Sequence, residues 1–173
     1  MPGLAVVTGA SSGLGAETAR LLSRSGATIF GIGRDTGRLA EVFADVVHGS
    51  YASVDVASAQ ACRDAVEQCV RDWGGLDILI NIAGRHQMRR TESMTDDDWA
   101  QDLAVNLNGP FYLCRAALPH LLERGGNIIN VSSIAGIEGQ APELRLDAGG
   151  ETPPNDVQLA FAATEPAQVL VWE

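Results

Sequence analysis

Up to about residue 140, short runs of consecutive apolar positions alternate with longer stretches whose apolar residues recur at helical spacing. Leu4–Thr8 is a continuous apolar run that ends in a glycine-rich turn. A helical stretch follows to Ser25, its apolar stripe read as Leu14, Thr18, Leu21 and Leu22, with Gly26 where a helix-ending glycine belongs. Thr28–Ile32 predicts a second strand and Arg38–Val46 a helix. Ser50–Val54 predicts a third strand, and Ala59–Trp73 a helix with Val66, Cys69, Val70 and Trp73 turned inward. Leu76–Asn81 is the fourth strand in this reading. A long helix then begins at Thr95–Asp98, where a capping Thr and a run of acids suit the positive end of the helix dipole, and runs to Arg124. Asn127–Ser132 closes the set as a fifth strand. Repeated strand–helix units of this length predict an α/β fold, a parallel sheet with helices on both faces.

Past Gln140 the character changes. Residues 141–173 hold four of the seven prolines, and six acids against a single arginine, Arg145. Thr152-Pro153-Pro154-Asn155 does not suit regular structure. The expected division is therefore residues 1–140 as one α/β domain and 141–173 as an acidic, weakly ordered tail.

Composition narrows the function classes. The chain has 173 residues, 46% hydrophobic and 20% charged, enough for one domain with a real core. Its net charge of −10 argues against nucleic acid as a partner, because phosphate backbones need a basic face. No apolar run approaches the ~18 residues of a membrane span, and Met1-Pro2-Gly3 carries no charged lead-in, so a cytoplasmic protein is expected. Cys62 and Cys69 lie roughly 10 Å apart along a helix axis at 1.5 Å per residue, too far to bridge, so free thiols are expected. His48, His86 and His120 are scattered singly, which predicts no metal site.

Chemistry concentrates at the strand ends. Thr8-Gly9-Ala10-Ser11-Ser12-Gly13-Leu14-Gly15 joins the first strand to the first helix. Glycines there permit a tight turn and close approach of backbone N–H groups to a pyrophosphate, which the helix N-terminus also attracts. This spacing resembles that of the short-chain dehydrogenases/reductases, and later segments extend the likeness. Asp55-Val56 resembles the family's adenine contact, and Asn81-Ile82-Ala83-Gly84 its Asn-Asn-Ala-Gly signature. Val105-Asn106-Leu107 resembles the segment bearing its catalytic Asn. Ile129-Asn130-Val131-Ser132-Ser133-Ile134-Ala135-Gly136 resembles the strand that ends in its catalytic Ser, here Ser133.

The resemblance implies a Rossmann-like doubly wound sheet in the order 3-2-1-4-5, C-terminally incomplete here. It also implies hydride transfer between a nicotinamide dinucleotide and a small carbonyl or alcohol. The implied cofactor-binding residues are Gly9, Ser11, Ser12, Gly13, Leu14, Gly15, Arg34, Asp55, Val56, Asn81, Ala83 and Gly84, and the implied catalytic ones Ser133 and Asn106. Bland readings stand beside these. Asp55 also fits a plain strand end, Asn81 a tie between neighbouring strands, and Asn106 a buried helix amide; Ser132 and Ser133 fit strand-end hydroxyls. The segment Arg85–Arg90 reads as a solvated loop, with a role beside an anionic substrate as its other reading. After the second strand the order Gly33-Arg34-Asp35 favours NADP(H), since Arg34 suits a 2′-phosphate, while Asp35 keeps NAD(H) open.

One part of the family's chemistry is missing. The resemblance places a Tyr-x-x-x-Lys pair near Arg145-Leu146-Asp147, where no Tyr stands. The chain has two tyrosines, Tyr51 and Tyr112, and every one of its 12 basic residues is arginine. A phenol needs a neighbouring cation to work near neutrality. A frame shift, truncation or altered splice near residue 141 is one expected origin, tested by seeking Tyr-x-x-x-Lys in the other reading frames downstream. Elements lost after the fifth strand would expose apolar faces that invite association, a homo-oligomer included. Three outcomes stay open: an oxidoreductase, a non-catalytic nucleotide-binding or interaction module, and a poorly folded product.

Overall fold

Five consecutive buried residues make β1, Leu4–Thr8, the centre of the sheet in a computed structural model that describes residues 3–87 and 91–133. The chain continues through α1 (Gly13–Arg24), β2 (Thr28–Gly33), α2 (Thr36–Phe43), β3 (Gly49–Ser53) and α3 (Ala59–Trp73). After β4 (Ile78–Asn81) come a short 3-10 turn at Thr91–Ser93, α4 (Asp96–Leu103), a π turn at Ala104–Asn108, α5 (Gly109–Arg124) and β5 (Asn127–Asn130). All strand pairs are parallel and the order is β3-β2-β1-β4-β5. The chain is thus a Rossmann-like doubly wound sheet, the architecture that the sequence resemblance implies.

Successive side chains of a strand point to opposite faces, so β1 divides its residues between two cores. Leu4 and Val6 join Phe30, Ile32, Val66, Cys69, Leu113 and Leu121 under α3 and α5. Ala5 and Val7 join Ile29, Leu39, Ala19 and Ile80 under α1 and α2. The order also puts the C-terminal ends of β1 and β4, which run to helices on opposite faces, side by side. The crevice between them is where this fold class binds ligands.

Several sequence expectations are corrected. α1 buries Gly15, Ala16, Ala19 and Ser23, whereas Leu14 and Leu21 are 71% and 60% exposed. The helix lies so close to β1 that small residues must face inward and the leucines turn outward. Trp73 is exposed rather than inward, its Nε1 donating to Ser50 Oγ at 3.0 Å. α2 begins at Thr36 rather than Arg38 because the Asp35 carboxylate caps it, accepting from the Arg38 N–H, and it ends at Phe43 rather than Val46. β3 starts one residue early, β4 starts at Ile78, and β5 stops at Asn130.

The expected single helix from Thr95 to Arg124 is interrupted by the π turn just before Pro110, whose ring nitrogen has no hydrogen to donate to the preceding turn. Its start is as expected, with Thr95 and Asp98 exchanging side-chain and backbone hydrogen bonds in a capping box. The proposed tail, residues 141–173, and the Ile134-Ala135-Gly136 end of the last motif lie outside the described residues.

Asp77 fastens the start of the sheet. Its Oδ2 accepts from the Leu4 N–H at 2.7 Å and its Oδ1 from Arg124 Nε at 2.6 Å. The Leu4 N–H, and after it Arg124, hold this carboxyl below its ordinary value of 3.8. A lowered carboxyl contributes stability that is complete above its unfolded value and lost as pH falls through its folded value. Melting temperature should therefore drop below about pH 4, and Asp77→Asn should flatten that acid limb. An unchanged limb would remove Asp77 from this role.

Candidate functional site

The turn after β1 is shaped by what its glycines leave out. A Cβ on Gly15 would stand 2.3 Å from the Gly9 carbonyl oxygen and 2.9 Å from that of Thr8, so only glycine lets α1 start against the end of the strand. Gly9 and Gly13 have φ of 68° and 52°, a region costly for other residues. Thr8 Oγ1 accepts from the Ile82 and Ala83 N–H groups, both at 2.9 Å, and so holds the segment after β4 beside this turn.

α1 differs from its neighbours at its N-terminus. Asp35, Ser58 and Thr95 each cap α2, α3 and α4 through a side chain, whereas Ser12 makes no such bond to α1. No acid stands in α1's first turn. Its leading N–H groups therefore face a cavity without an internal acceptor, a ready place for an anion.

That cavity encloses about 380 Å³ over the C-terminal strand ends. Gly9, Ser11, Ser12, Gly13, Leu14 and Gly15 form its middle. Gly33 and Arg34 after β2, with Val54, Asp55 and Val56 after β3, form one end; Ile82–Arg85 and Val105 form the other. A cavity that passes over four strand ends, with the uncapped N-terminus of α1 at its centre, fits a dinucleotide.

At the β2 end, a Cβ on Gly33 would lie 3.1 Å from Ser11 Oγ and 3.2 Å from Ser11 Cβ, a tight contact that the serine would have to yield to. The Arg34 carbonyl is held by Ser53 Oγ at 3.0 Å, and its guanidinium has no ion-pair partner among the described residues. Asp35 is occupied, capping α2 and pairing with Arg38 Nε at 3.5 Å. Asp55 Oδ1 accepts from the Ala57 N–H at 3.0 Å.

Three residues singled out from sequence do not line the cavity. Asn81 is 4% exposed and donates through Nδ2 to Asn130 Oδ1 at 2.8 Å, tying β4 to β5, while its own Oδ1 has no partner. Asn81→Ala should lower stability by about 0.5–1.5 kcal/mol, the net worth of its hydrogen bond to the half-buried Asn130. Chemical denaturation measures this, and a change below 0.5 kcal/mol, the ordinary size for an uninvolved surface site, would contradict the tie. Asn106, also 4% exposed, spends its amide on the main chain of Arg85, accepting from its N–H at 2.8 Å and donating to its carbonyl at 2.7 Å. Ser133 is half-buried just past β5.

Arg85 was missed. The structure corrects its reading as part of a solvated loop: it lines the cavity, and its Nε stands 3.1 Å from Oδ1 of Asp102, an acid with 2% of its side chain exposed. The available signal was an acid four positions before Asn106 on the same helical run. Met88, Arg89 and Arg90 lie outside the described residues.

The thiols are free, as the spacing predicts. Burial pushes Cys62 up to about 11 and Cys69 to about 12, which keeps both protonated and inert near neutrality. Among the described residues no group of three or more His, Cys, Asp or Glu could hold a metal ion. No described helix is long and apolar enough to cross a membrane.

Comparison with known proteins adds the decisive observation. The sequence profile of a family described as short chain dehydrogenase matches residues 3–143. The chain belongs to the short-chain dehydrogenase family. It is 36% identical over 139 residues to a 3beta-hydroxysteroid dehydrogenase of Mediterraneibacter gnavus, covering 78% of this chain and 50% of that one. An uncharacterized oxidoreductase of Staphylococcus saprophyticus is 38% identical over 144 residues, covering 78% of this chain and 60% of its own length. The chain therefore spans 50–60% of the length of these short-chain dehydrogenase relatives. Among solved structures, a Streptomyces avermitilis short-chain dehydrogenase is 32% identical with a TM-score of 0.74, covering 79% of this chain and 51% of that one. The alcohol dehydrogenase of Thermococcus sibiricus, solved with 5-hydroxy-NADP, has a TM-score of 0.79 at 26% identity, covering 94% of this chain and 67% of that one.

Proposed function

We propose that this chain binds NADP(H) across the cavity as the dinucleotide-binding part of an oxidoreductase that acts on a small carbonyl or alcohol, and that these 173 residues alone turn it over poorly. The observation that carries the reading is the uncapped N-terminus of α1, opening with its glycine turn onto a cavity that has Arg34 at one end. N–H groups of the turn and of α1 hold the pyrophosphate. Arg34 takes the 2′-phosphate, in the place where Gly33 offers no competing carboxylate and Asp35 is committed to its helix. Asp55 and Val56 lie against the adenine, and Ala83 and Gly84 against the other half. Bound there, the dinucleotide supplies the hydride.

Asn106 and Ser133 take the catalytic roles that the family resemblance gives them, Ser133 holding the substrate oxygen. The proton donor is the weak point. No lysine exists in the 173 residues, and Tyr51 lies in β3 and Tyr112 in α5. Without a positioned acid, proton transfer forfeits about 10²–10⁴-fold in rate. The same fact favours a second reading, a nucleotide-binding module without chemistry of its own.

Following NADPH absorbance with a panel of small ketones tests the proposal. Consumption should stay at least about 100-fold below the ~10 s⁻¹ typical of enzymes. Turnover at that ordinary rate, abolished by Ser133→Ala, would contradict the impairment and favour a complete active site.

A further inference from the structure

Arg85 is held at four points by one stretch of helix. Its main-chain N–H and carbonyl are both bonded to the Asn106 amide, at 2.8 and 2.7 Å. Its Nη1 donates to Gln101 Oε1, and its Nε meets Asp102 Oδ1 at 3.1 Å. Gln87 adds a further tie, Nε2 donating to Asp98 Oδ1 at 3.2 Å. The segment after β4 that walls the cavity is thereby fastened to α4 and to the π turn behind it. The π turn widens the helix by one residue per turn, and Asn106 on it meets the same residue that Gln101 and Asp102 meet a turn earlier.

Asp102 is the unusual member. It is 1% exposed, and an ionised carboxylate out of water is tolerated only against a paired cation. Arg85 is the cation that meets it. Its side chain is shared between Gln101, which accepts from Nη1, and this acid, which Nε approaches as a charge contact without hydrogen-bond alignment. This disfavours the other sequence reading of Arg85, a free cation for an anionic substrate.

We propose that Arg85 and Asp102 are positioning residues. Their ion pair fixes the β4-side wall of the cavity, Ile82–Arg85, against α4 and so preorganises the half of the site that receives the nicotinamide end of the cofactor. The proposal rests on the NADP(H) reading. The sheet order separates the two halves: Arg34 and Asp55 stand at the ends of β2 and β3, and Ile82–Arg85 follow β4 on the far side of β1. A ligand made only of the adenine half does not reach the pair's wall.

The test compares NADPH with adenosine 2′,5′-bisphosphate, which carries the adenine, the ribose and its 2′-phosphate but no nicotinamide. Single truncations leave a buried charge alone and endanger folding. The variant is therefore the double change Arg85→Leu with Asp102→Leu, which fills the space and removes both charges. Titration calorimetry should show NADPH binding weakened by about tenfold, the cost of ordering the wall at the moment of binding. Adenosine 2′,5′-bisphosphate should bind as it does to the unaltered chain. The charge-keeping Arg85→Lys should recover part of the NADPH loss. Unchanged NADPH affinity in the double variant, or equal weakening of both ligands, would overturn the positioning role and leave the pair as packing. An unaltered chain that binds neither ligand would instead overturn the NADP(H) reading beneath it. A chain that binds the bisphosphate but not NADPH would overturn the positioning role alone, since no formed nicotinamide wall would then exist.

Discussion

Gly15→Ala should lower the melting temperature by roughly 10 °C and abolish nucleotide binding. The added Cβ would stand 2.3 and 2.5 Å from the carbonyl oxygen and carbon of Gly9. Both are backbone atoms of the turn itself, so no flexible side chain can swing aside. α1 must lift away from β1 or the turn must open, and either movement withdraws the N–H groups that face the cavity. Overpacking costs about 1–3 kcal/mol, and a backbone-to-backbone clash belongs at the upper end. At about 2–4 °C per kcal/mol for a chain of this size, that gives the expected shift. Gly13→Ala is the control: a Cβ there meets nothing within 4 Å, so only the φ of 52° opposes it. It should cost about 1–2 kcal/mol. Equal effects at the two positions would contradict a role for the close approach at Gly15.

Arg34→Ala should weaken NADPH binding by about 10- to 100-fold, the worth of a charge-assisted hydrogen bond at roughly 1.5–3 kcal/mol. NADH lacks the 2′-phosphate, so its affinity should hold within about twofold. Asp35→Ala separates the two cofactor assignments. Its carboxylate caps α2 and pairs with Arg38, so removal should cost about 1 kcal/mol of stability with no loss of NADH affinity. A tenfold loss of NADH affinity in that variant would return the selecting role to Asp35.

Much of the fold was legible because a parallel sheet buried on both faces writes itself as apolar runs, as Leu4–Thr8 does. Ala59–Trp73 was readable to the residue because Ser58 caps it and Gly74, in the left-handed region, ends it. The inward face of α1 was not legible. Counting large apolar residues selects Leu14 and Leu21, but the helix packs too closely to β1 for anything larger than Ala16 and Ala19 at the contact. The π turn was hidden for a different reason. Helical spacing continues through Ala104–Asn108, and what distorts it is Pro110 and the pull of Arg85 on Asn106, a contact between residues 21 apart in sequence.

At the site, the glycine turn and the strand-end segments could be placed from order alone, since the parallel topology brings every strand's C-terminal end to one edge. The partnership of Arg85 with Asp102 could not, because it depends on which way the segment after β4 folds back onto α4. Asn81, for which the sequence leaves a cofactor contact and a strand tie open, joins β4 to β5 and does not line the cavity.

Thermal melting of the purified chain alone, with NADPH and with NADH tests the central claim most directly. A ligand that binds only the folded state stabilises it by about 2.7 kcal/mol at a concentration 100 times its Kd, or roughly 5–10 °C here. The account predicts one cooperative transition, raised by NADPH by about that amount and less by NADH at equal concentration. A cooperative transition that neither nucleotide moves would contradict it.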